Sequence, residues 1–223
     1  MIASVHLADV GKRMVLGLLP RKLGLGNVPG LHYAEVTIAA PLSAHLLPRP
    51  NLGRVGLIAT WDDDRALDGF LSAHPFAEQL RHGWHVRLQP TRIFGAWPQM
   101  SGLLAREVAM EDSEPAAVLT IGRLRLSQTV RFLRASATAE ELAVRNPSLL
   151  ASTGLARPPA LVSTFSLWQS TDAMRAYAQG VNHPGHLAAI RAHAAQPFHH
   201  ESAFIRFRPY ASEGSWNGRD PLG

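Results

Sequence analysis

The chain repeats itself, and that repeat constrains its fold more than any other feature. Val55-Gly-Leu-Ile-Ala-Thr-Trp61 and Ala160-Leu-Val-Ser-Thr-Phe-Ser-Leu-Trp168 both read as strands ending in Trp. Leu67 and Phe70 follow Trp61 at helical spacing, and Met174 and Tyr177 follow Trp168 at the same distances. His74-Pro75 answers to His183-Pro184. Arg87, Pro90, Gly95 and Trp97 return with identical internal spacing as Arg206, Pro209, Gly214 and Trp216. So many ordered matches mark an internal duplication, which takes precedence over any single motif.

The two copies divide at the polar link Met110-Glu-Asp-Ser-Glu-Pro115, giving halves 1–113 and 114–223. In the first, residues 3–8 read as a strand, Val10 to Leu19 as a helix and Leu31 to Ala40 as a strand. Pro41 to Pro50 carries three prolines and reads as an irregular connection. Asp62-Asp-Asp64 puts acids at the positive end of a helix. His74-Pro75 breaks that helix, and a short one follows from Phe76 to Arg81. Trp84 to Gln89 alternates as a strand, which Pro90, Gly95, Trp97 and Pro98 close. The second half repeats the plan loosely: a strand from Ala117 to Ile121, a helix from Leu126 to Ala135, then a helix capped by Ser170. Each half reads strand, helix, strand, helix, strand, with room for one more strand in the link. That is a ferredoxin-like α+β unit. The strands are apolar on both faces, so two such sheets can bury their free faces together. The expected fold is α+β, two tandem ferredoxin-like repeats forming a pseudo-dimeric α+β barrel. The space between a sheet and its helices is then the expected site for a large apolar ligand.

Composition narrows the chemistry. The chain of 223 residues has no cysteine, so disulfides, thiolate metal sites and cysteine nucleophiles are excluded. A metal would have to use His, carboxylate or Tyr. The net charge is +5, but no basic run is interleaved with aromatics, so nucleic acid is not an expected partner. No apolar run reaches the ~20 residues of a spanning helix. Lys12-Arg13 and Met14 to Leu19 faintly resemble a signal peptide, but the run is short and Pro20-Arg-Lys follows it. A cytoplasmic protein is expected, with peripheral membrane contact and homo-oligomer formation left open. Nucleotide fingerprints, nucleophile elbows and zincin motifs are missing.

Among the histidines, His199-His200 are adjacent on a strand and point apart. His82 and His85 read as surface residues, and His6, His32, His45 and His74 have no metal-binding neighbours in sequence. His186 differs. Pro184 suits the first turn of a helix, along which His186, Ile190 and His193 share one face with Ala189. The first turn disfavours an imidazolium, and a neutral imidazole is the metal-ligating form. The first copy has Ala77 at this place. Two readings remain: a metal ligand, or a core histidine bonded to a backbone carbonyl. Trp61, Trp168, Met174, Tyr177 and Phe198 read as packing residues, and Arg87 and Arg206 as a repeated structural ion pair.

The C-terminal stretch resembles a known family. Phe165-Ser-Leu-Trp168, Met174, Tyr177-Ala178, His186 with Ala189-Ile190, Glu201, Arg206-Phe207 and Gly214-Ser-Trp216-Asn-Gly-Arg-Asp220-Pro-Leu222 are similar to the spheroidene monooxygenase family of carotenoid biosynthesis. Leu23-Gly24, Ile58-Ala-Thr-Trp61, Leu88-Gln89-Pro90 and Gly95-Ala-Trp97 agree. Phe198-His199 departs from it, standing where the family would have a Trp-Phe pair. The resemblance implies a mono-oxygenase using haem b, O₂ and a ferredoxin-type electron donor on a linear carotenoid or similar apolar substrate. It implies His186 as the iron ligand, with Met174, Tyr177 and Ile190 beside the cofactor and His193 or Arg206 as distal donors. Two other classes stay open: a cofactor-free mono-oxygenase of the antibiotic-biosynthesis type, and a non-catalytic carrier of haem or an apolar ligand.

Overall fold

The computed structural model describes residues 1–19, 27–42, 51–105, 110–179 and 195–223. The first half contains β1 (Ile2–Asp9), α1 (Lys12–Leu18), β2 (Leu31–Ala40), β3 (Arg54–Trp61), α2 (Asp64–Ala73), α3 (Pro75–Leu80) and β4 (Trp84–Ala96). The second contains β5 (Ala116–Leu124), α4 (Thr129–Val144), β6 (Leu149–Arg157), β7 (Leu161–Trp168), α5 (Thr171–Ala178) and β8 (His199–Gly214). The strands close into one barrel in the order β1-β3-β2-β6-β7-β5-β8-β4, and every pairing is antiparallel. Each half supplies four consecutive strands in ferredoxin-like order, so the expected pseudo-dimeric barrel is what forms.

Strand register carries the duplication into three dimensions. Val5 pairs with Ile58 in the first half, and Leu119 pairs with Phe165 in the second. The displacement that takes Trp61 onto Trp168 also takes Ile58 onto Phe165. Val5 pairs with Val86, and Leu119 with Ile205, by the displacement that takes Arg87 onto Arg206. The halves meet along two seams. At one, Ile38 faces Ala156; at the other, Gln89 faces Arg208. Each of these residues faces its own counterpart, which places the pseudo-twofold axis there.

Local chemistry sets the helix ends. The Asp63 side chain accepts from Ala66 N at 3.1 Å and starts α2. His74 ends that helix; its Nδ1 accepts from Phe76 N at 3.1 Å, and Pro75 opens α3. Ser170 caps α5 through Ala173 N at 3.1 Å, as its sequence position implies.

Three expectations need correction. β4 does not stop at Gln89 but runs through Pro90 to Ala96, because it pairs along the seam with β8 and a register shift between Pro90 and Arg92 absorbs the proline. The link after α4 holds the further strand it had room for, β6, but α4 itself runs past Ala135 to Val144. His85 is not a surface residue. It pairs across strands with His6 beneath α2, the two rings stacked 5.1 Å apart.

Alternation divides the strands between two environments. Val5, Ile58, Val86, Leu119, Phe165 and Ile205 point into the barrel, where they are buried together. On the outer face of the first half, Val55, Leu57 and Trp61 pack beneath Leu67 and Phe70 of α2 and Phe76, Ala77 and Leu80 of α3. Among the described residues, the corresponding buried group of the second half comprises Ala116, Val118, Trp168 and Met174. Among the described residues no helix is long and apolar enough to cross a membrane.

His6 ties stability to pH. It is 1% exposed, and its Nε2 lies 2.9 Å from Ser4 Oγ, which accepts from Trp61 Nε1. Burial first, then the charges of His85 and Arg87, hold its pKa well below the usual histidine value; His85 is lowered too, chiefly by burial. The unfolded chain takes up protons near pH 6.5 that the native protein refuses. Stability is therefore present above about pH 6.5 and lost as pH falls below it. The urea midpoint should drop between pH 7 and pH 5, and His6→Gln should flatten that drop. An equal drop in the variant would refute the assignment.

Candidate active site

Among the described residues the two outer faces share strand register but differ in what packs on them. In the first half β3 is buried on both faces. In β7 the outward Val162, Thr164 and Ser166 are only half-buried. Thr120 of β5 takes the place of His6 by register, yet Thr120 is exposed. What lines this second face is a mixture of apolar groups and guanidinium groups. Val118, Trp168 and Met174 are buried there, with Tyr177 and Phe204 packed against them. The rings of Trp168 and Tyr177 are 4.9 Å apart. Burial, with the charge of Glu140 adding to it, pushes the Tyr177 phenol up to about 12, so it stays protonated as a donor at neutral pH.

Arg206 stands beside this patch, flanked by Val118 of β5 and Arg92 of β4. Its counterpart Arg87 is fully committed: Nη1 donates to Asp64 at 2.8 Å and Nη2 to Asp68 at 2.6 Å, both on α2. Arg206 has no such partner among the described residues, and its Nε is buried without a hydrogen bond. Burial, then repulsion from Arg175 and Arg92, lowers its pKa. The reading of both arginines as one repeated ion pair therefore holds for Arg87 and fails for Arg206. The acids on α2 have become Thr171 and Arg175 on α5.

A second feature lies on the other side of β8, at one barrel end. Trp97 and Trp216 are counterparts and close opposite ends. Trp216 is packed by Trp84 at 5.2 Å and by Phe165 at 6.5 Å. At the Trp97 end the corresponding residues are the smaller Ala203 and Ile58. A cleft of about 250 Å³ opens there, lined by Ile93, Trp97, Met100, Leu103, Ala203 and Ile205. It is just below the ~300–1,000 Å³ of typical ligand pockets, and it accepts a slender apolar group rather than a broad one. Neither the cleft nor the lone arginine was legible in single residues; comparing the two copies position by position would have shown both substitutions.

The structure brings Met174, Tyr177 and Arg206 to one face of the second half. Met174 is buried and Tyr177 half-buried. His186, Ile190 and His193 lie outside the described residues. No group of three or more His, Asp or Glu able to hold a metal occurs among the described residues. Of the described histidines, His32 pairs with Asp62 at 2.6 Å, His74 caps α3, and His199 packs its ring against Phe132 and Gly122.

This arrangement can be set beside known proteins. No family model matches the chain. A spheroidene monooxygenase from Rubrivivax gelatinosus is 30% identical over 212 residues, covering 93% of this chain and 78% of that protein. Another, from Cereibacter sphaeroides, is 26% identical over 215 residues, covering 94% of this chain but 65% of its relative. Among solved structures, an aldoxime dehydratase bound to butyraldoxime superposes with a TM-score of 0.53 at 10% identity, covering 94% of this chain and 79% of its own. That likeness concerns the fold alone. The sequence similarity, running through both halves of the barrel, settles the affiliation: the chain belongs to the spheroidene monooxygenase family and is a mono-oxygenase.

Proposed function

We propose that this mono-oxygenase binds haem b on the outer face of its second half and oxygenates a linear carotenoid or a similar extended apolar molecule. The observation that carries the reading is the contrast between the two outer faces. Among the described residues, the first is filled by α2 and α3, whereas the second pairs an apolar floor with cations, and Thr120 is exposed. A flat apolar group bearing carboxylates fits such a face. Its apolar plane would lie on Val118, Trp168, Met174 and Phe204, and its acids would meet Arg206.

His186 is the proposed iron ligand. In the first copy the corresponding residue is Ala77, which is 3% exposed and packed against the outer face of its sheet. The same place in the second copy would present an imidazole to the face just described. A neutral imidazole is required there. Met174, Tyr177 and Ile190 would exclude water from the cofactor. Tyr177, protonated at neutral pH, and His193 are the groups able to donate a proton. Haem supplies the activation of O₂ for insertion of one oxygen atom into a C–H bond, with electrons from a ferredoxin-type donor. The carotenoid substrate is taken from the relatives' name and from the apolar character of the site. Met14 and Leu16 on α1 are exposed next to Lys12 and Arg13, which suits peripheral contact with a membrane that holds such a substrate.

The test is spectroscopic and then catalytic. Purified protein given haem should develop a Soret band, and His186→Ala should abolish or shift it while leaving the fold intact by circular dichroism. With O₂, ferredoxin and its reductase, the wild type should convert an acyclic carotenoid to a hydroxylated or keto product. Turnover without metal would instead establish the cofactor-free class. A bound chromophore with no O₂ consumption would establish a carrier.

A further inference from the structure

Duplication supplies an internal control for Arg206. Among the described residues one copy of the arginine is neutralised and the other is not, at the same register position. In the first half α2 offers Asp64 and Asp68 to Arg87. In the second, α5 offers Thr171 and Arg175 at the corresponding places. Thr171 is buried and its Oγ1 donates to the Glu114 carbonyl oxygen at 3.1 Å, so it is already engaged. Arg175 pairs with Asp112. Neighbouring Arg208 is held by both oxygens of Glu114, at 3.1 and 2.8 Å. Arg92, the cross-strand neighbour, lays its guanidinium over Phe94 at 4.7 Å. Arg92 pairs across strands with Arg206, the charge of Arg175 also repels it, and the Arg206 Nε is buried without a hydrogen bond.

A partly buried cation facing two others is unfavourable in the ligand-free protein. One acid on α5 would suffice to pair it, yet Thr171 and Arg175 stand at the places where α2 carries Asp64 and Asp68. A guanidinium presents a planar fork that matches an oxyanion in two-point contact. We infer that Arg206, supported by Arg175 and Arg92, is an oxyanion-binding residue on the outer face of the second half, and that it takes a carboxylate of the bound ligand. The source of the carboxylate rests on the function proposed above: it would be a propionate side arm of haem, although a free carboxylic acid has the same chemistry.

Two measurements test this. The first needs no ligand. Arg206→Met in the ligand-free protein should raise the melting temperature by about 2–4 °C, the shift for relieving a small repulsion in a chain of this size. Arg87→Met, which strands Asp64 and Asp68, should lower it. A fall in both variants, equal in size, would overturn the inference. The second compares haem with its dimethyl ester, in which both propionates are masked. Wild type should bind haem at least about tenfold more tightly than the ester, the worth of one charge-assisted contact. Arg206→Met should lose that preference, Arg206→Lys should keep part of it, and Arg175→Asp should lose it by placing an acid beside Arg206, as Asp68 sits beside Arg87.

If haem binds and Arg206→Met keeps the full preference, the oxyanion role fails and the haem reading stands. If no porphyrin binds, the haem reading fails, and the free acid becomes the test. Succinate or benzoate should then raise the melting temperature of wild type but not of Arg206→Met. No stabilisation of either would overturn the oxyanion role as well.

Discussion

Phe165→Ala should destabilise the protein by about 3–5 kcal/mol, read as a fall in the guanidinium chloride midpoint at unchanged slope. Phe165 is 0% exposed and sits mid-barrel on β7, between Trp84 at 6.3 Å and Trp216 at 6.5 Å. Neither large ring can collapse into the space that truncation would leave, because each is fixed elsewhere. Trp84 Nε1 donates to Asp220 at 3.0 Å, and Trp216 is tied through its backbone to Arg219. A cavity with rigid walls belongs at the costly end of the range. Since domains are stable by only ~5–15 kcal/mol in all, the variant should retain little margin. A loss below about 2 kcal/mol would mean that the interior repacks and that the ring triad is not a rigid unit.

Gly214→Ala comes second. Gly214 has φ +90°, and a Cβ there would run into the carbonyl oxygen of Gly83, just before β4. Its counterpart Gly95 has φ +78° and would meet the carbonyl oxygen of Ser202 in the same way. The left-handed backbone alone costs about 1–2 kcal/mol for an alanine. Gly218, at φ +87°, has open space where its Cβ would go, and so isolates that backbone cost. Gly218→Ala should lose roughly 1–2 kcal/mol, whereas Gly214→Ala and Gly95→Ala should lose clearly more, with melting temperatures below that of the Gly218 variant. Equal losses at all three positions would show that the seam accommodates the extra carbon.

Those glycines also show what the sequence made legible. Their spacing from Arg and Trp announced a duplication, and the barrel followed from it. Spacing alone could not give their reason, which is a carbonyl arriving from a strand far away in the chain. The same limit explains β4. Pro90 reads locally as a strand end, but pairing with β8 outweighs it. His85 looked like a surface residue because nothing nearby in sequence covers it; the cover comes from α2 and from His6. At the candidate site, Met174 and Tyr177 were found through the repeat and the family resemblance. The solitary state of Arg206 was missed, because identity between copies suggested identity of role. Partners decide role, and the partners of Arg87 lie on α2, roughly twenty residues earlier, where the copies diverge.

The pseudo-twofold barrel has a consequence for how such a chain can change over time. Both halves inherit one scaffold, but they do not carry equal loads. The first half, with Trp61, Leu67, Phe70, Phe76 and Leu80 buried between its sheet and its helices, acts as ballast for the whole. Because the strands of the two halves close a single hydrogen-bonded ring, that surplus is shared across the seams. The second half is thereby free to keep polar strand positions, a bare guanidinium and an open threonine that an isolated ferredoxin-like unit of its size would tolerate poorly. Loosening the first half should therefore be felt most by the outer face of the second, whose strand β7 is only half-buried on that side.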